Sequence, residues 1–398
     1  MTATPCHAGG AMPSRAAAPA RAAVLLLACA TAAAATAATA QPPHLLPRLL
    51  VTAPGLPAWS LDLERRLQAI DAGLAGGDIG VYVLHLERRE SYAYRADEPW
   101  YLASGVKIPV AIAVMRAVED GELSLDTRIA LRETDFVDGA GGTNRHPAGA
   151  RLTVAYLLEQ MVVFSDNTAS DVLIRSVGLE RVNAVAADLI DAHMRITTLG
   201  DVRRLAYAQF HPGASRLTAQ DLLALQRSPA GQARVNRLAQ LLAVTPNEFM
   251  QPDLTSAFEA YYATHLNSAT LVDYGRMLAT LAEGQALGDE GTRYLLDLMA
   301  RVQTGKQRIV AGLPRRAGFA HKTGTQYRRT CDLGIATVPA ATRTGPPARV
   351  VIAACVRGTG TAAGERALRD IGAAVTASGV FVDSAPQPTV SPILATPP

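Results

Sequence analysis

The sequence predicts an α/β fold of the α+β kind, with an antiparallel sheet flanked by terminal helices beside an all-α lobe. Short β-branched runs with turn residues between them occur towards both ends of the chain. Between them, apolar residues recur at helical spacing over a long central region. Of the 398 residues 49% are hydrophobic and 18% are charged, which is enough apolar surface for one large or two moderate cores.

The predicted elements are strands near the two ends of the chain and helices between them. An amphipathic helix is predicted near 60–75, followed by the strands IGVYVLHL and SYAYRA around the charged turn ERRE. From Ile108 to about Val310 the spacing is helical, as in LTVAYLLEQMVV and SATLVDYGRMLATLAEG. The last third returns to strands at RAGFAHKTGT, CDLGIATV and ARVVIAACV, then closes with the helix AGERALRDIGAAVTAS. Strands at both ends with helices between them imply that the ends pair in one antiparallel sheet.

The two ends of the chain differ in composition from the region between them. Residues 1–40 hold two arginines, no acid and an Ala-rich stretch, which is typical of a secretory signal and predicts export to the periplasm. This stretch is too weakly apolar for a stable membrane span; a lipoprotein signal acylated at Cys29 is the less favoured alternative. Pro-rich residues 41–58 are predicted to be a linker and 384–398 a disordered tail.

The folded domain is therefore expected over 59–383, with a sheet lobe at 59–103 and 313–383 and a helical lobe at 104–312. The formal charge of +3 falls to +1 without the two arginines of the signal, so a nucleic-acid partner is not expected.

Cys331 and Cys355 lie on two predicted strands and face each other if the hairpin folds near Arg343. A disulfide and two buried free thiols are both open.

Three short stretches carry residue types suited to acyl transfer without histidine: Ser104 to Lys107 (SGVK), Ser165 to Asn167 (SDN) and Lys322 to Gly324 (KTG). The first opens a predicted helix, the second lies in a break between two helices, and the third lies on a strand. Residues three apart on a helix share a face, so the Lys107 amine can reach the Ser104 hydroxyl. A serine nucleophile must lose its proton as it attacks, and Lys107 can accept it only while neutral, which burial and neighbouring positive charge favour.

The other residues have complementary roles. Lys322 would supply that positive charge and attract a substrate carboxylate. The N–H groups of Ser104, at a helix start, and of Thr325, on the strand, are candidate oxyanion donors. Gly324 lets the acyl group approach the strand closely.

Ser165 can relay a proton to the departing nitrogen, and Asn167 offers an amide for a substrate amide.

The motifs SxxK, SDN and KTG characterise class A β-lactamases and penicillin-binding proteins. With the local texts WYLASGVK, MVVFSDNTASDVLI and FAHKTGT, the chain resembles the penicillin-recognising serine hydrolases, most closely class A β-lactamases, over most of 60–380. The resemblance implies a β-lactamase/transpeptidase-like fold with catalytic Ser104, Lys107, Ser165 and Lys322 and substrate-binding Asn167, Thr323, Gly324 and Thr325.

Two features depart from that family. Its deacylating glutamate, followed by Leu-Asn, has no counterpart, since no ExxLN occurs after Ser165. Asp201 is the nearest carboxylate by position, either as a replacement base or as a salt-bridge partner of Arg203 or Arg204. The segment 206–266 is longer than usual; this insertion either borders the cleft or packs far from it.

Several other residues have simpler interpretations. His321 is expected to be a strand residue rather than a general base. Arg328 and Arg329 either pair with a substrate carboxylate or lie in a solvated turn. The glycine-rich stretch 138–142 (DGAGG) lacks the context of a phosphate cradle and is expected to be a flexible loop. No metal-ligand spacing is present, so neither metal nor cofactor is expected.

The resemblance therefore implies a β-lactamase that acts on a small molecule through an acyl-enzyme. A monomer is expected, although the sequence itself does not reveal the oligomeric state. A D-alanyl-D-alanine carboxypeptidase-like or penicillin-binding protein, which deacylates slowly, is the first alternative, with a D-alanyl peptide as its substrate. A non-catalytic module that binds peptidoglycan fragments is the second.

Overall fold

A computed structural model of the chain describes residues 56–340 and 346–382. The expected signal, the tail and most of the linker lie outside these residues. Strands in the described part are β1 (Asp78–His85), β2 (Glu90–Tyr94), β3 (Pro99–Tyr101), β4 (Arg128–Ala130), β5 (Arg151–Thr153), β6 (Ser268–Thr270), β7 (Gly318–Gln326), β8 (Arg329–Val338) and β9 (Ala348–Arg357). Its helices are α1 (Ala58–Ala72), α2 (Lys107–Glu119), α3 (Val154–Val163), α4 (Asn167–Val177), α5 (Leu179–Leu189), α6 (Leu199–Ala208), α7 (Ala219–Arg227), α8 (Gln232–Leu242), α9 (Leu254–Tyr262), α10 (Leu271–Ala282), α11 (Asp289–Ala300), α12 (Ile309–Gly312) and α13 (Thr361–Ala377).

The main sheet has the order β2-β1-β9-β8-β7 and is antiparallel throughout. The predicted pairing of the two chain ends is confirmed, because β1 lies beside β9, with Val81 opposite Ala354. The hairpin of β8 and β9 also has the predicted register, since Cys331 lies opposite Cys355. These two cysteines form a disulfide.

Alternate residues of the strands face two different cores, as the two-residue period of a strand requires. Val81 and Val83 point to the face covered by α1 and α13, while Tyr82 and Leu84 point to the helical lobe. In that lobe α2 is apolar on nearly every side and is buried along most of its length. Such an all-round apolar helix belongs in the centre of its lobe, and it carries the first motif at its start.

The lobe that the sequence predicts to be all-α also contains short strands. β4 pairs with β5, and β6 pairs with β3 of the sheet lobe. Each of these strands has three residues, which is too short for a two-residue period to stand out in the sequence. None of the described helices is both long and apolar enough to cross a membrane.

The insertion folds into helices and ends on α9, which packs against the turn between β7 and β8. Phe258 stacks on Tyr327 with 5.2 Å between ring centroids, and the Tyr262 hydroxyl donates to the Tyr327 carbonyl at 2.7 Å. Tyr262 also lies 4.7 Å, centroid to centroid, from Tyr101, three residues before Ser104. The insertion therefore borders the segments that carry the first and third motifs.

Candidate active site

The first motif begins on a one-turn 3₁₀ helix, Ala103–Val106, that leads directly into α2. Ala103 has a φ of 48°, a left-handed conformation that is uncommon for a residue with a side chain. Ser104 is partly exposed although its neighbours Ala103 and Gly105 are buried. Strain in the residue before a half-exposed hydroxyl is characteristic of a functional position held by its surroundings.

Lys107 is fully buried and lies on α2 at the level of the SDN turn. Its Nζ donates to the Ser165 carbonyl at 2.6 Å and to Asn167 Oδ1 at 2.7 Å, and it lies 3.4 Å from Ser165 Oγ. Burial lowers the pKa of Lys107 to about 7, against the opposing pull of the Asp166 and Asp171 carboxylates. Lys107 therefore spends part of its time as the neutral amine at neutral pH, which a proton acceptor requires.

Ser165 lies between the two amines. Its Oγ accepts from Lys322 Nζ at 2.9 Å, while Lys107 Nζ is on its other side. Ser165 has a φ of 62°, so both hydroxyl-bearing turns contain a strained residue. Burial lowers the pKa of Lys322 well below its usual value, and the charges of Lys107 and Arg308 lower it further.

Three of the four predicted catalytic groups are thus joined by hydrogen bonds, while Ser104 precedes Lys107 by three residues, on the 3₁₀ turn that leads into α2. No hydrogen bond from the Ser104 hydroxyl is found within the described residues. Strand β7 runs directly against the turn that carries Ser104: a Cβ on Gly324 would lie 3.3 Å from the Ala103 Cβ and would overlap the Leu102 carbonyl. The sequence assigns Gly324 to close approach by an acyl group, and the structure shows close approach by the backbone of Leu102.

The remaining KTG residues have their hydroxyls engaged. Thr323 shares a 2.6 Å hydrogen bond with Thr304. Thr325 is exposed, and its Oγ1 accepts from the Arg308 guanidinium at 2.7 Å. Arg308 also donates to the carbonyls of Gly324 and Cys331.

Arg308 was missed by the sequence analysis, and it is 4% exposed. It follows the polar stretch Thr304–Gln307, which resembles a surface turn, so nothing in the local pattern signals its burial. Arg328 and Arg329, the two candidates for a substrate carboxylate, have other partners in the structure. Arg329 pairs with Glu259 of α9 and lies over the Tyr262 ring, while Arg328 donates to the Gly358 carbonyl.

Asp201 has the salt-bridge position that the sequence left open. Its carboxylate pairs with Arg204 at 3.0 Å and accepts from the Thr198 hydroxyl at the start of α6. Its side chain is 44% exposed. Across 56–340 and 346–382, no carboxylate hydrogen-bonds to Ser104, Lys107, Ser165 or Lys322.

A second carboxyl, Asp171, was also missed by the sequence analysis. It lies on α4 four residues after Asn167, and accepts from the backbone N–H groups of Leu199 and Gly200 at 2.7 and 2.8 Å. Burial raises the pKa of Asp171 to about 7. The i, i+4 relation to Asn167 was the available signal, since such residues share a helix face.

Asn167 is held at both ends of its amide. Its Oδ1 accepts from Lys107, and its Nδ2 donates to the Asp138 carbonyl at 2.6 Å, which leaves one N–H and one lone pair for a substrate.

His321 forms a hydrogen bond with Asp332 at 2.6 Å and stacks on Phe319. It therefore occupies the strand position that the sequence favours.

The comparisons with known proteins agree with this geometry. The family model described as "Beta-lactamase enzyme family" matches residues 62–378. A β-lactamase of Streptomyces albus G is 27% identical over 333 residues, covering 81% of this chain and 84% of the relative. The crystal structure of a β-lactamase from Sphaerobacter thermophilus has 28% identity and a TM-score of 0.57, covering 81% of this chain and 98% of that one. PBP-A, at 20% identity and a TM-score of 0.56, covers 82% and 98% and is similar in fold.

Proposed function

Since this chain belongs to the β-lactamase enzyme family, we propose that it hydrolyses β-lactams through an acyl-enzyme formed on Ser104. The observation that carries the proposal is the placement of Ser165 Oγ between the buried amines of Lys107 and Lys322, with the partly exposed Ser104 three residues before Lys107. Lys107, whose pKa burial lowers to about 7, can accept and return a proton near neutral pH.

The geometry supports the following steps. Ser104 Oγ attacks the carbonyl carbon of the β-lactam amide while its proton passes to neutral Lys107 Nζ. The N–H groups of Ser104 and Thr325 stabilise the oxyanion. Ser165 then gives its proton to the amide nitrogen, the C–N bond breaks, and Ser165 is reprotonated from Lys107 or Lys322. Water attacks the resulting ester, which releases the opened product and restores the Ser104 hydroxyl.

The substrate carboxylate would bind at the start of the cleft formed by β7. The Arg308 guanidinium, which also pairs with Glu365, donates to the exposed Thr325 hydroxyl at 2.7 Å, so the hydroxyl proton of Thr325 can point to a substrate carboxylate. A carboxylate is favoured where cationic and hydroxyl donors converge. This arrangement suits both a β-lactam and a peptide ending in D-alanine.

One observation favours a second candidate function. Asp201 is committed to Arg204 and to the start of α6, so it is not free to activate the deacylating water. This favours acylation followed by slow hydrolysis of the acyl-enzyme, as in a D-alanyl-D-alanine carboxypeptidase-like or penicillin-binding protein. A non-catalytic binder is less favoured, because it needs no amine with a lowered pKa beside two hydroxyls.

Intact mass spectrometry after mixing with benzylpenicillin separates these functions. A transient adduct with hydrolysed product indicates a β-lactamase, and a persistent adduct of one penicillin indicates slow deacylation. The same protein with the Ser104→Ala substitution should form no adduct in either case. Wild-type protein that forms no adduct and no product contradicts the proposal.

We also propose that the protein is exported to the periplasm and acts as a monomer. The disulfide between Cys331 and Cys355 supports export, because such bonds persist in oxidising compartments. One chain supplies all the groups assigned to catalysis, so the proposed reaction requires no second subunit. Cell fractionation and light scattering of the purified protein test the two statements.

A further inference from the structure

The glycine-rich segment 138–142, expected from its sequence to be a flexible loop, packs directly on the SDN turn. Gly139 and Gly141 have φ values of 153° and 99°, which glycine adopts more readily than other residues. A Cβ on Gly139 would lie 2.6 Å from Asn167 Nδ2, and a Cβ on Gly141 would overlap the Asp166 carboxylate, 2.6 Å from its Cγ. The glycines thus allow a contact that any side chain would push apart.

Hydrogen bonds fix this contact. The Asn167 Nδ2 donates to the Asp138 carbonyl at 2.6 Å. The Thr143 N–H, just after the glycines, donates to Asp166 Oδ2 at 2.9 Å. Asp166 uses its other oxygen to accept from the Ala169 N–H at the start of α4. The glycine segment and Thr143 therefore supply hydrogen-bond partners to both residues that follow Ser165, Asp166 and Asn167.

The segment is itself anchored from the opposite side. Both oxygens of the Asp138 carboxylate accept from the Arg203 guanidinium of α6, at 2.8 and 2.9 Å. Asp138 is 6% exposed, and a paired fork of this kind is more rigid than a single hydrogen bond. A loop held by such a pair is a support for its neighbours rather than a flexible connection.

The support reaches Lys107 through Asn167. Because Nδ2 donates to the Asp138 carbonyl, the amide oxygen must face the other way, where it accepts from Lys107 Nζ at 2.7 Å. The same turn carries the Ser165 carbonyl, the second acceptor of Lys107. Displacing Asn167 would therefore move or free the amine that is proposed to take the proton of Ser104.

We propose that residues 138–143, here named the glycine support, hold the SDN turn in the position that acylation requires, with Gly141 as a positioning residue. This inference rests on the proposed function. Gly141 does not touch the substrate in this role; it acts through Asp166 and Asn167. The effect of a substitution should therefore appear in the rate of the proton-transfer step.

The test compares Gly141→Ala with Gly149→Ala. Gly149 has a φ of 86° and no heavy atom within 4 Å of its would-be Cβ, so its substitution imposes similar backbone strain without contact. We expect Gly141→Ala to lower the acylation rate constant at saturating benzylpenicillin about tenfold or more, as small displacements in active sites do. Gly149→Ala should remain within about twofold of wild type.

The measurement also separates positioning from loss of fold. A partly unfolded sample lowers the fraction of protein that becomes acylated, whereas a displaced amine lowers the rate constant of the protein that reacts. Gly139→Ala, which meets Asn167 instead of Asp166, provides a second variant if Gly141→Ala does not unfold cooperatively. Acylation by either folded variant at the rate of Gly149→Ala overturns the inference.

Failure of the proposed function is a distinct outcome, since wild-type protein would then form no adduct. In that case crystal structures of the two variants decide the inference. The hydrogen bond from Lys107 Nζ to Asn167 Oδ1 should be lost with Gly141→Ala and kept with Gly149→Ala. Its retention in both variants overturns the positioning role.

Discussion

The acylation rate is expected to follow the titration of Lys107, because burial lowers the pKa of this amine to about 7. The charged groups around it are the Asp166 and Asp171 carboxylates, the Arg203 guanidinium and the Lys322 amine. In the proposed mechanism only the neutral amine accepts the proton of Ser104, so the rate should rise as pH increases through 7 and level off above 8.

The size of the effect follows from the neutral fraction. With a pKa of about 7, this fraction is about 0.09 at pH 6 and about 0.91 at pH 8, so the rate constant should rise about tenfold between them. A lysine with its ordinary pKa of 10.5 would instead give a rise of about a hundredfold over the same interval, and about tenfold more between pH 8 and 9. The plateau above pH 8 is therefore the distinguishing feature.

The assay mixes protein with saturating benzylpenicillin between pH 5.5 and 9, quenches in acid and measures the adduct by intact mass. Asp171→Asn is the control, because burial raises the pKa of Asp171 to about 7 and this group would titrate in the same range. Its substitution should keep the rise and move the midpoint to lower pH, since a carboxylate that favours the ammonium has been removed. A rate that still climbs tenfold above pH 8, or a rise that disappears in Asp171→Asn, would refute the assignment to Lys107.

Three further predictions concern other parts of the molecule. Asp201→Ala should leave β-lactam turnover unchanged and lower the free energy of unfolding by about 0.5–1 kcal/mol, because it removes a partner of Thr198 at a helix start; accumulation of adduct in this variant would instead identify a deacylation base. Tyr327→Ala should raise kcat/KM for β-lactams with bulky acyl groups relative to β-lactams with small ones, because it opens the contact between Tyr327 and α9. Tyr327→Phe keeps the ring stacking and should leave this ratio unchanged. Equal ratios in the two variants would place the contact outside the substrate path. Replacing Cys331 and Cys355 by alanine should lower the free energy of unfolding by about 3 kcal/mol, because the bridge closes a loop with a sequence separation of 24; denaturant curves that coincide with wild type would contradict this.

Those features of the fold that depend on local periodicity were predictable from the sequence. The pairing of Cys331 with Cys355 follows from folding a hairpin about its centre, because strand register is fixed by counting residues. The predicted break between two helices at the SDN stretch lies between α3 and α4, where Asp166 caps the start of α4.

The parts that could not be predicted depend on partners distant in the sequence. Arg308 follows a polar stretch and Glu259 lies between Phe258 and Ala260, and only the folded chain shows that the first is buried under β7 and the second pairs with Arg329. The role of Asp201 depended on the placement of α6, because the same carboxylate could cap a helix or face a water. The glycine support escaped notice because its contact with the SDN turn depends on what lies opposite each glycine.

The central place of β9 in the sheet also bears on how the protein is made. β9, at 348–357, is the strand that joins β1 and β2 to β8 and β7, yet it leaves the ribosome after all of them. A nascent chain that stops before residue 348 therefore has two separate sheet fragments with open edges, and contacts of such long range form slowly. Hydrolytic activity should consequently appear only in chains that have been translated beyond β9. Prematurely terminated products should be targets for chaperones or proteases rather than partially active enzymes.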